Sequence, residues 1–125
     1  MEDYAQASLR LYTDAETLYK ASPKRLATAC HLYGLAAECA IKAFIERQPG
    51  CSSVPFKHLP ELIDDAKRLL NGRAASHLLH NISSANFMAG WQVANRYWAD
   101  SSFSDLHTNK IKADSFKVVK CISEV

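Results

Sequence analysis

The sequence is short of the features by which a function is usually read. Its four cysteines, Cys30, Cys39, Cys51 and Cys121, are spaced 9, 12 and 70 apart, so there is neither a CxxC pair for zinc nor a regular disulfide framework. A reduced, intracellular setting is the expectation. No apolar run reaches the roughly 20 residues that span a bilayer. The opening MEDYAQASLR is acidic and then amphipathic, whereas a secretory leader begins basic and continues into an apolar block. The expected location is the cytoplasm, with no membrane partner. Strand alternation, internal repeats and low-complexity tracts are missing, and no metal or nucleophile motif names a reaction. No cofactor is expected.

A large excess of one charge is missing too. The net charge is +2, with residues 1–48 balancing six basic against six acidic groups and residues 49–108 balancing five against five. The surplus sits at the C-terminus, where Lys110, Lys112, Lys117 and Lys120 face only Asp114 and Glu124. Such a run could serve a phosphate backbone but is more often a solvated helix face, so charge alone does not name a nucleic-acid partner.

What is present is a helical pattern over 125 residues, 48% of them apolar, enough for one domain with one core. The segment from Leu26 to Gly50 carries it most clearly. At 100° per residue, Lys24, Thr28, His31, Glu38, Lys42 and Glu46 share one narrow stripe, while Leu26, Ala29, Tyr33, Ala37, Ala40, Ile41 and Phe44 cover the other side. Such a helix belongs at the centre of a bundle. The spacing predicts a first helix over Asp3 to Lys20 and a second that starts at Ser22-Pro23, with Ser as N-cap and Pro at the first helical position, and ends at Pro49-Gly50. A third runs from His58-Leu59-Pro60 to a left-handed cap at Asn71-Gly72, the helical pattern resumes at Arg73, and after a break at Asn81 to Asn86 a fourth helix proper covers about Ser84 to Ala99. There Phe87, Trp91, Ala94 and Trp98 form a stripe expected to pack into the core. A last helix from Thr108 carries Ile111, Phe116, Val119 and Ile122. The predicted fold is all-α, an up-and-down antiparallel bundle of four to five helices.

Three strings, HLYGLAAECAIKAF (His31 to Phe44), KHLPEL (Lys57 to Leu62) and WQVANRYW (Trp91 to Trp98), together resemble the HEPN domain family of small helical bundles, and the similarity spans most of the chain. The resemblance implies a fold that pairs as a homodimer, binds a nucleotide or RNA, and is encoded beside a minimal nucleotidyltransferase as a toxin and antitoxin system. A subset of the family cleaves RNA without metal. That subset places an Arg and, a short step further along the same late helix, a His. The Arg holds the scissile phosphate and the His exchanges protons near neutral pH. Arg96 is the positional match, but Tyr97 follows it and His107 lies too far downstream. Arg25 with His31 and Arg73 with His80 meet the bare spacing in other places. Arg73 and His80 are the catalytic candidates for the alternative function, a metal-independent endoribonuclease toxin. His77 and His80, three apart, have no third ligand at a useful spacing, so no metal site is expected.

On the central helix, Glu38 and Lys42 stand four apart in the order that favours an intrahelical ion pair. The sharper expectation is a groove in which Arg96 meets Glu38 while His31 and Lys42 receive a phosphate, with Tyr97 beside them. With the late-helix His missing, the favoured reading is a binding module that takes up nucleotide or RNA or docks a partner protein.

Overall fold

The computed structural model describes residues 1–123, and the protein is an all-α helical bundle whose described residues contain no strand. Five helices build it: α1 (Tyr4–Lys20), α2 (Leu26–Glu46), α3 (Leu62–Leu69), α4 (Arg73–Ile82) and α5 (Asp105–Ser123). Two short 3₁₀ turns, Val93–Tyr97 and Asp100–Ser102, lie between α4 and α5. No helix among the described residues is long and apolar enough to cross a membrane. Glu124, counted in the C-terminal charge, lies outside them.

Thirteen of the 21 residues of α2 are buried, which makes it the axis on which α1 and α5 both pack. Its small side chains, Ala29, Ala36, Ala37 and Ala40, are fully buried and let the neighbouring helices approach closely. Tyr33 knits the three helices together. Its ring meets Tyr12 and Tyr19 edge-on at 5.4 and 6.1 Å, its hydroxyl donates to Glu16 Oε1 at 2.6 Å, and its carbonyl accepts the Ser115 hydroxyl at 2.7 Å. Such ring pairs add about 0.5–1.5 kcal/mol each beyond the area they bury.

The contacts fix the directions. Tyr12, Glu16 and Tyr19 gather at Tyr33 while Tyr4 lies at Lys42, so α1 and α2 are antiparallel. Asp105 meets Tyr19, Lys112 meets Glu16 and Phe116 meets Tyr12, which makes α5 antiparallel to α1 and places it beside α2 in the same sense. Between them α4 runs back against α5, with Asn81 bonded to Lys117 and Asn86 to Lys110.

The first helix forms as expected, capped by the Asp3 carboxylate, which accepts the Gln6 N–H at 2.9 Å. The second begins at Leu26, later than Ser22-Pro23, because the chain first turns back and Arg25 N–H bonds to Leu18 O at 3.0 Å. The third begins at Leu62 and ends at Leu69, and Gly72, at φ +84° and ψ 173°, shapes the entry to α4 rather than a left-handed cap. The largest correction concerns Ser84 to Ala99, which is not an α-helix. It is a chain of tight turns, with Phe87 N–H on Ser84 O, Ala89 N–H on Asn86 O and Trp91 N–H on Met88 O. Side chains of α5 impose this course. Asp114 accepts the Met88 N–H at 2.9 Å and is itself held by Lys110 at 2.6 Å, which secures Met88 at φ +56°, a left-handed conformation costing about 1 kcal/mol. Phe87 and Trp91 still reach the core, but Ala94 and Trp98 face outward. α5 itself starts three residues before Thr108, because Ser104 caps it through the His107 N–H at 3.0 Å. Ile111, Val119 and Ile122 point inward and Phe116 points out.

Candidate functional site

The middle of the α2 polar stripe is closed, not open. Glu38 and Lys42 lie on the same side, 3.6 Å apart, and are 3% and 8% exposed, whereas Lys24, Thr28 and Glu46 at the ends of the stripe are solvent-facing. The segment after α2 folds back over them. Glu38 Oε1 accepts the Leu59 N–H at 3.0 Å and Oε2 pairs with His58 Nδ1 at 2.9 Å. Lys57 reaches Asp65 at 3.0 Å and Arg68 meets the same carboxylate at 3.1 Å, which pins the strap from its other side. A carboxylate so supplied with donors is a fastening. His58 and the Leu59 N–H took no part in the sequence-based site. The string KHLPEL carried the signal, since a His beside a buried Leu suits a carboxylate on a neighbouring helix.

Arg96 does not meet Glu38. The groove expected there required Arg96 on a late helix facing α2, and the residue instead projects from the Val93–Tyr97 turn. Its Nη1 donates to Val93 O at 2.9 Å and its guanidinium lies 4.4 Å from the centre of the Tyr97 ring. It remains close enough to act on His31. That ring stacks on Trp91 with centroids 6.2 Å apart and planes 17° from parallel, and its Nδ1 is buried without a hydrogen-bond partner. Burial lowers the His31 pKa, the Arg96 charge lowers it further, and Glu38 opposes both. His31 is therefore held in its neutral form near pH 7.

Trp91 sets the position of this corner. Its indole N–H donates to Cys30 O at 3.0 Å, and it lies flat against Gly34, where any side chain would collide with it. Beyond it, the Asn95 amide bonds to Gly90 O at 2.9 Å and fixes the 3₁₀ turn, which leaves Tyr97 78% and Trp98 47% exposed. The second 3₁₀ turn brings Asp100 to the start of α2, where it lines a cleft of about 250 Å³ with Lys24, Arg25 and Thr28. The result is a ledge with two outward aromatic rings and an exposed arginine, beside a half-buried neutral histidine.

Arg73 and His80 are both exposed on α4, along with His77. His80 lies seven positions after Arg73 on the helix, about 10 Å along the axis. No group of three or more His, Cys, Asp or Glu side chains among the described residues is placed to hold a metal ion. Cys30, Cys39 and Cys51 are free thiols. Burial pushes Cys30 up to about 11, against a smaller downward pull from Thr108, and burial followed by Glu38 raises Cys39, so neither offers a thiolate near neutral pH. Set against family models, curated proteins and solved structures, the chain matches none.

Proposed function

We propose that this protein is a HEPN-like binding module that takes up single-stranded RNA, or a nucleotide, on the ledge formed by His31, Arg96, Tyr97 and Trp98. One observation carries the reading: the Tyr97 ring stands in solvent against the Arg96 guanidinium, with Trp98 half-exposed next in sequence, although 27 apolar side chains among the described residues are buried in one cluster. Exposed rings next to a cation suit bases that stack and phosphates that need a counter-charge. The resemblance supplies the rest of the reading: a cytoplasmic homodimer, acting with a minimal nucleotidyltransferase as one half of a toxin and antitoxin pair. Glu38 and Lys42 serve the ledge from below by holding α2 and the 57–60 strap in place.

The test is fluorescence anisotropy with a labelled single-stranded RNA of about 12 nucleotides in EDTA, within the site sizes such platforms cover. Binding should weaken as salt rises. Arg96→Ala, Tyr97→Ala and Trp98→Ala should each weaken it by about tenfold, since stacking contributes about 1–3 kcal/mol per base, and should leave the melting temperature unchanged. Unaltered affinity in all three variants removes the ledge from the account. The same incubation tests the endoribonuclease alternative: RNA cut by the wild type and spared by Arg73→Ala or His80→Ala would establish it.

A further inference from the structure

A second surface, on the opposite pair of helices, has a different chemistry. Where α1 and α5 run side by side, Tyr12, Ala113 and Phe116 line an open apolar hollow of about 300 Å³ whose polar edges are Asn109 and Lys112. Phe116 is 51% exposed at its rim, and the antiparallel register of the two helices brings Leu9, 42% exposed, level with Lys120. Large apolar side chains grouped on one face of a small protein mark a contact surface more often than chance exposure.

The occupant follows from ring geometry and charge. The Tyr12 and Phe116 rings touch each other, 6.1 Å apart and tilted by 45°, so they leave no parallel slot for a flat base and present an uneven apolar wall on which a branched or aromatic side chain can rest. The border is basic. Lys120 lies 5.8 Å from the centre of the Phe116 ring and has no carboxylate partner among the described residues. Lys117, also exposed, has only a long pairing with Asp114 at 3.8 Å, whereas Lys112 is part-buried, bonded to Glu16 at 3.2 Å and lying over the Tyr19 ring. We infer that this face docks an acidic amphipathic segment of a partner protein, laying one large apolar side chain against Tyr12 and Phe116 while its carboxylates meet the exposed Lys117 and Lys120. Apolar contact supplies the affinity and the lysines supply the sign of the partner's charge. This docking does not depend on the RNA ledge.

The probe is a labelled peptide of about 18 residues, long enough to reach some helicity, with Leu and Phe on one helical face and Glu elsewhere. A Lys-for-Glu version and a single-stranded RNA serve as comparisons, all measured by anisotropy against the full chain. The acidic peptide should bind saturably and the Lys version should not. Phe116→Ser should weaken binding by about tenfold, equivalent to about 1.4 kcal/mol, and the double variant Lys117→Glu, Lys120→Glu should prefer the Lys version. Arg96→Ala should change none of this. If Phe116→Ser unfolds the chain, judged by circular dichroism, the exposed lysine reversals decide alone. Equal binding of both peptides, or no binding of the acidic one, overturns the inference. So does displacement of RNA instead of peptide by these substitutions, or a dimer that Phe116→Ser dissociates, which would assign the face to nucleic acid or to a second copy.

Discussion

Adding one methyl group at Gly34 should unseat the corner on which the ledge rests. A Cβ there would lie 1.8 Å from Trp91 Cε2, 2.1 Å from Nε1 and 2.3 Å from Cζ2, far inside any tolerable contact, and the atoms it meets belong to a rigid bicyclic ring. Trp91 is 2% exposed, so it cannot yield without leaving its slot. Removing a buried aromatic of this size costs about 3–5 kcal/mol, and the lost hydrogen bond to Cys30 O lies within that figure. Alanine returns about 1 kcal/mol through its better helix propensity. The net loss for Gly34→Ala is about 2–4 kcal/mol, a large part of a typical stability of about 5–15 kcal/mol, and corresponds to a fall in melting temperature of about 10 °C. In a Trp91→Ala background the obstacle is gone, and the same substitution should stabilise by up to about 1 kcal/mol. Urea unfolding followed by far-UV circular dichroism on the four members of this cycle measures both numbers. If Gly34→Ala falls within about 0.5 kcal/mol of wild type, or keeps its sign when Trp91 is absent, the close approach described for these two residues is wrong.

Three further outcomes are expected. Glu38→Gln should destabilise by about 2–4 kcal/mol, because it strands the Lys42 ammonium in a buried position, and adding Lys42→Met should recover most of the loss; chemical unfolding of the single and double variants measures this. For Glu16, burial alone would raise the carboxyl, but hydrogen bonds from Tyr33, Lys20 and Lys112 outweigh it and hold it below its ordinary 4.5. Its contribution is complete above that value and is lost as pH falls through the lower folded value, so Tyr33→Phe should shift the acid limb of a melting-temperature profile to higher pH. His31, depressed from 6.5, contributes fully above that pH and loses its contribution as pH falls towards the folded value. A His31→Leu profile should therefore be flatter below 6.5, and a steeper one would refute the burial assigned to the ring.

The sequence carries α1 and α2 clearly because their apolar residues keep the 3.6 period over many turns, and the Asp3 cap is visible as a letter. It carries the pairing of Glu38 with Lys42 for the same reason. It does not carry the course of residues 83–104, since Phe87, Trp91 and Trp98 happen to fall at helical spacing while the force that bends the chain comes from Asp114 and Lys110, more than 20 positions away. That misreading displaced Arg96 from its expected place. Tyr97 stands on the same turn, in solvent beside it. Trp98 was expected inside on periodicity, but a hydrophobic letter in a turn is buried only if some other element covers it, and here Phe103 covers one side alone. The strap at His58 was hidden because its partner, Glu38, sits 20 positions earlier, on a helix that explains itself without it.

The parallel run of α5 beside α2 bears on the order of assembly. α1 and α2 are joined by only residues 21–25 and can meet as soon as both exist, whereas Tyr19 waits for Asp105, 86 positions on, and Tyr33 waits for Ser115, 82 positions on. Closing so long a loop is entropically dearer and slower, so the alanine-lined flank of α2 stays wet until the final helix arrives. Weakening that late seam, as Ser115→Ala does, should therefore hasten unfolding while leaving the refolding rate almost untouched.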